Sequence, residues 1–281
     1  AVKIFSPRAG VDRGLLQREV ERLVSLDKHP HIVSLLDAHF EGERAWYVTD
    51  LLEGGTLEQY VGASPLTRSA RSGQRAHPVL WTEQVTRWME EIAGALQYVH
   101  AKGIIHCDLK PANVLLDESG HVRVADFGQA AVVAGSAGSL GTLFYMAPEQ
   151  AALPVSGQSL QPDVRWDLYG LGATTYALLA GKPPREDRMR AAVDTAKGMT
   201  AQLEAYREMG RLASVAVPPK GPGSLADVEI AAILNRCLET DLAKRYESAG
   251  EVLADLRARR QYRPVSPLAH AGGYRASKFL R

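Results

Sequence analysis

A chain of 281 residues, 46% hydrophobic and 23% charged, has the composition of an ordinary folded protein with enough apolar mass for a real core. Thirty-three basic residues against 32 acidic ones leave a net charge of +1, which excludes a bulk electrostatic basis for binding nucleic acid or an anionic membrane. Two cysteines, Cys107 and Cys237, can build neither a disulfide framework nor a zinc finger, so a reducing, cytoplasmic compartment is expected.

The run "AVKIF" at the start is strand-like, and residues 12–26 follow with apolar side chains at 15, 16, 20, 23, 24 and 26, which is helical spacing. "HIVSLLDAHF" and "RAWYVTDLL" read as two further strands separated by the turn-forming "EGE". "EGGTLEQYV" then places a Gly-Gly break before a short helix. Residues 62–80 have no sustained period and read as a solvated loop, with Arg68, Arg71 and Arg75 as solvating charges. From Thr82 to Lys102 the apolar positions 85, 88, 89, 92, 96 and 99 predict the best helix of the chain, closed by Gly103. "HVRVADFG" carries the alternation of a strand, and beyond residue 160 the pattern is almost wholly helical. The most apolar stretch, residues 168–181, is too short to span a bilayer and reads as a buried core helix. There is no internal repeat. This order predicts an α+β protein with a small strand-rich lobe over residues 1–53, a larger helical lobe over 54–257, and a basic linker or tail over 258–281.

The polar groups fall in a telling order: Lys3 in the first strand, Glu19 on the next helix, Asp108, Lys110 and Asn113 inside "IIHCDLKPANVLL", then Asp126-Phe127-Gly128 and Ala147-Pro148-Glu149. This ordered series resembles the protein kinase family over nearly the whole chain up to about residue 257. The resemblance implies a bilobal fold, ATP and Mg²⁺ as cofactors, and a protein substrate with a Ser or Thr acceptor. Moving a phosphoryl group requires cations to hold the triphosphate, oxygen ligands to hold those cations, and a carboxylate at the acceptor hydroxyl. Asp126 and Asn113 are the expected metal ligands, Asp108 the carboxylate that orients the hydroxyl, and Lys110 the charge on the transferring group.

Glu19 shares a helix face with Leu15, Leu16, Leu23 and Leu26, whereas Glu21 lies about 200° away on the polar side. A carboxylate on an apolar face needs a partner, and Lys3 is expected to be that partner. In the resemblance, this pair positions the lysine on the α- and β-phosphates. The resemblance further implies an adenine-binding segment at Asp50-Leu51-Leu52 with Thr49 at its entrance, and an apolar column of Leu23, Leu35, His106 and Phe127 joining the lobes. It also implies a Glu149–Arg245 pair, and Asp167 bracing the catalytic loop from a buried helix. "DLKPAN" and "GTLFYMAPE" are similar to the serine/threonine members, with Thr142 contacting Asp108 and Lys110 or else accepting phosphate itself. "YMAPEQ" and the 24 residues from Asp126 to Glu149 are similar to bacterial members. Ala112 removes an acidic group that would favour basic substrates, and Ser136 and Ser139 are candidate autophosphorylation sites.

Two departures stand out. Cys107 replaces an Arg that in the family pairs with a phosphate on the activation segment, which implies activity independent of such phosphorylation. Cys107 itself is either an inert replacement or a redox switch. The Gly-rich loop that should precede the lysine strand is missing, and the start at Ala1, inside a strand-like run and without Met, leads us to expect a fragment; a natural deletion is the other expectation. With that deletion the domain would be a pseudokinase, a nucleotide- or protein-binding scaffold. The arginine-rich tail is similar to the segment that precedes a membrane span or a sensor or repeat region, with Arg275, Lys278 and Arg281 at a cytoplasmic membrane face, or else a plain linker.

Overall fold

The computed structural model describes residues 1–5, 13–26, 28–40, 45–63, 78–127, 143–151, 161–212, 225–270, 273, 274 and 278. The small part of the molecule carries β1 (Val2–Phe5), α1 (Arg13–Ser25), β2 (Leu35–His39) and β3 (Ala45–Thr49). The strands form an antiparallel sheet in the order β1-β3-β2, with Lys3 opposite Tyr47 and an irregularity between Leu35 and Asp37. Val20 and Leu23 of α1 are buried against it, the stripe that the helical period predicts.

The large part is helical. α2 (Pro78–Ala101) is longer than the sequence period implies: Pro78 opens it, and a proline costs nothing at a first helical position where no amide bond is due. The six apolar positions predicted for this helix, Val85, Trp88, Met89, Ile92, Leu96 and Val99, are all buried. Arg68, Arg71 and Arg75 lie outside the described residues. After α2 come the hairpin strands β4 (Val114–Leu116) and β5 (Val122–Val124), turned by Asp117, whose Oδ1 accepts the Ser119 and His121 amides at 3.0 Å each. Then follow α3 (Val164–Ala180), α4 (Glu186–Thr195), α5 (Met199–Leu212), α6 (Leu225–Cys237) and α7 (Ala249–Arg260). Helix α3 is the axis of this part, capped by Asp163 and by left-handed Gly181 and buried on every side, as a helix apolar all round must be. Gly170 lets it lie directly on the loop that precedes β4: a Cβ there would stand 2.9 Å from the Leu109 carbonyl oxygen.

The two parts are joined by backbone bonds. Val33 N–H donates to Val124 O at 3.0 Å and Val124 N–H to His31 O at 2.9 Å, while Gly54 N–H and Leu116 O meet at 3.1 Å. Beyond α7, the absence of any period predicts a linker, but the described residues there pack on the helical lobe. Val265 and Tyr274 are buried, and Glu229, 1% exposed on α6, accepts from the Tyr274 hydroxyl. Lys278 pairs with Glu229 at 2.5 Å with its side chain 7% exposed, because a buried carboxylate requires a cation. Arg275 and Arg281 lie outside the described residues. Among the described residues no helix is long and apolar enough to cross a membrane.

Candidate active site

The loop between α2 and β4 is built around Asp108. Its Oδ2 accepts from Lys110 Nζ at 2.8 Å and from Asn113 Nδ2 at 3.1 Å, and the same Asn113 nitrogen donates to the Asp108 carbonyl at 2.8 Å. Oδ1 takes part in none of these bonds. The Asp108 amide donates to His106 Nδ1 at 3.2 Å, and His106 Nε2 lies 2.9 Å from the Ala125 carbonyl oxygen. A carbonyl can only accept and an amide N–H can only donate, so His106 is the neutral tautomer with its proton on Nε2. It is a fully buried packing group whose ring lies 4.9 Å from that of Phe127.

A single buried carboxylate locks this loop to α3. Asp167 accepts the His106 and Cys107 amides at 2.8 Å each and meets His100 Nε2 at 2.7 Å. Gln150 closes the other side, donating from Nε2 to the Cys107 carbonyl at 2.6 Å. Held between them, Cys107 takes a left-handed φ of +64°. Burial, with Asp167 next, pushes its thiol well above the ordinary value, which disfavours the reactive thiolate.

Asp126 follows β5 with a left-handed φ of +65°. Its Oδ1 accepts from Lys3 Nζ at 3.1 Å across the two lobes. The backbone before it is fixed by Ala125 N–H donating to the Asn113 carbonyl at 2.9 Å, which ties the two oxygen-bearing residues Asn113 and Asp126 into one unit. Phe127 is fully buried, in the same apolar core as Leu23 and with Leu35 packed against that core. The Glu19 side chain, Gly128, Thr142, Ser136 and Ser139 lie outside the described residues.

Thr49, Asp50 and Leu52 form the crossing from β3 to the helical part. Asp50 Oδ2 accepts the Ser34 amide at 3.3 Å, the Thr49 hydroxyl donates to the Asp50 carbonyl at 3.3 Å, and Leu51 points to solvent, 70% exposed. Farther from the loop, Arg245 is fully buried and meets Glu149 through two bonds of 2.7 and 3.1 Å. The sequence reading passed over His100, Gln150 and Arg22. Arg22, whose Nη1 donates to the Phe127 carbonyl at 3.0 Å, carried a usable signal: it lies three residues after Glu19, on the same face of α1. Gln150 and His100 carried none, since their partners are 43 and 67 residues away.

Residues 1–255 match the family described as the protein kinase domain. The chain is similar to the probable serine/threonine-protein kinase SCO3848 of Streptomyces coelicolor, 34% identical over 92% of this chain and 36% of that protein. It is similar also to serine/threonine-protein kinase PrkC of Bacillus subtilis, 28% identical over 86% of this chain and 33% of that one. A third relative, serine/threonine-protein kinase pkn2 of Myxococcus xanthus, is 30% identical over 91% of this chain and 28% of that protein. The chain thus spans about a third of the length of these curated relatives. With its sheet-rich small lobe, its helical large lobe and the match over residues 1–255, the chain belongs to the protein kinase family.

Proposed function

We propose that this domain transfers the γ-phosphoryl group of Mg-ATP to the hydroxyl of a Ser or Thr residue in a protein substrate. The observation that carries it is the Asp108 carboxylate, with one oxygen pinned by Lys110 and Asn113 and the other without a bond among the described residues, in a loop locked to α3. An acceptor hydroxyl on Oδ1 would be oriented for attack, while Lys110 neutralises charge on the group being transferred. Bound Mg-ATP supplies the electrophilic phosphorus and the divalent charge around it.

The residues fit that ligand. The Lys3 ammonium seated on Asp126 at 3.1 Å supports a carboxylate that takes a cation. Asn113 commits its amide nitrogen to Asp108, so its carbonyl oxygen is the end left for a metal, and the two hard oxygen donors suit Mg²⁺ held in company with phosphates. Lys3, partnered by Glu19, would hold the phosphates, and the backbone of Thr49, Asp50 and Leu52 would face the adenine. The lobe boundary is set between residues 53 and 54. Cys107, fixed through its own backbone by Asp167 and Gln150, supports activity without a phosphate on the activation segment.

The test is Mg-ATP-dependent transfer, to itself and to a generic Ser/Thr substrate, by the full-length protein beside Asp108→Asn. Loss of transfer by about 10²- to 10⁴-fold in the variant is expected, with wild-type activity surviving phosphatase treatment. A folded wild-type protein that transfers nothing overturns the proposal in favour of a binding module.

A further inference from the structure

Two cations of the small lobe reach consecutive residues of the large one. Lys3 on β1 meets the Asp126 carboxylate, and Arg22 on α1 donates from Nη1 to the Phe127 carbonyl oxygen at 3.0 Å, across a separation of 105 residues. Between those two contacts lies a strained piece of backbone, since Asp126 holds a φ of +65°. A residue with a side chain stays in that region only when its surroundings over-determine it. On the near side, Ala125 is held by Asn113 through its amide and by His106 through its carbonyl. On the far side, Phe127 is held by its buried ring and by the guanidinium of Arg22 on its carbonyl.

We propose that Arg22 is a positioning residue, whose guanidinium holds the Asp126–Phe127 backbone in the left-handed turn that aims the Asp126 carboxylate. The consequence for catalysis rests on the phosphotransfer function proposed above; the effect on the backbone does not.

The experiment uses the full-length protein, with Arg22→Ala and Arg22→Lys, and two readouts. Amide hydrogen exchange without nucleotide is expected to rise about tenfold over residues 122–127 in Arg22→Ala, with residues 92–101 of α2 unchanged and Arg22→Lys restoring part of the protection. In transfer assays, Arg22→Ala is expected to raise the Mg²⁺ concentration for half-maximal rate about tenfold, the loss of one charge-assisted bond, with a smaller change in kcat at saturation. Unchanged exchange over 122–127, or an equal rise in 92–101, overturns the positioning role. A wild-type protein that transfers no phosphate defeats the catalytic function, and exchange alone then decides the role of Arg22.

Discussion

The large-lobe half and the small-lobe half of the site are held by different physics. Around Asp108 the supports are buried: Asp167 is 1% exposed, Gln150 4%, and Asn113 8%, each bonding to loop backbone. The charged contact between the lobes is in reach of water, with the Lys3 and Asp126 side chains 41% and 35% exposed. A buried bond of this kind is stiff, because losing it strands a polar group away from solvent. A half-exposed ion pair is screened and contributes little to stability. The Asp108 loop is therefore pre-organised by the fold, and the Lys3–Asp126 contact is the more weakly held of the two.

The largest effect should come from breaking the stiff half. Asp167→Ala strands the His106 and Cys107 amides, and a loss of about 3–5 kcal/mol in denaturant unfolding is expected, together with transfer reduced at least as far as in Asp108→Asn. Next is Glu149→Ala, which leaves the buried Arg245 guanidinium, among the described residues, with the Glu239 and Arg165 carbonyls and the Tyr169 ring. About 2–3 kcal/mol should be lost, below the full value for a broken buried pair because Glu149 is partly exposed, and thermal unfolding measures it. The opposite half is probed by Lys3→Met: stability should change by less than about 1 kcal/mol, while Mg-ATP affinity by titration calorimetry falls steeply. A stability loss as large as that of Asp167→Ala would erase the contrast between the halves.

The smallest effect concerns the joint between them. Burial, then the neighbouring His31, lowers the pKa of His29 from 6.5, and the ring stacks on Tyr98 while its Nδ1 accepts the His31 amide at 3.2 Å. The fold thus prefers neutral His29, so the unfolded chain binds the extra proton first. Stability should be level above pH 6.5 and decline as pH falls through the lowered folded value. His29→Gln should flatten that decline in a pH series of unfolding curves.

Much of the architecture was legible because it is local. The 3.6-residue period marks the buried stripe of α2 residue by residue, and it marks Val20 and Leu23 on α1. The same period missed the start of α2 at Pro78, since the first turn of a helix is set by its termini more than by its stripe. It also misjudged the segment after α7, where Val265, Tyr274 and Lys278 pack through individual contacts and not by repeating a pattern.

What the amino-acid sequence determined on its own is the order of the chemistry: Lys3, then Asp108, Lys110 and Asn113, then Asp126, each set in a run whose alternation or helical period dictates its element. The tertiary structure decided who holds these groups in place. Asp167 on two loop amides, Gln150 on Cys107 and Arg22 on Phe127 link residues 43 to 105 positions apart, and all four bonds have a backbone amide or carbonyl as one partner. Backbone groups are the same at every residue, so a bond to one leaves no trace in side-chain pattern, and only the packed chain reveals it.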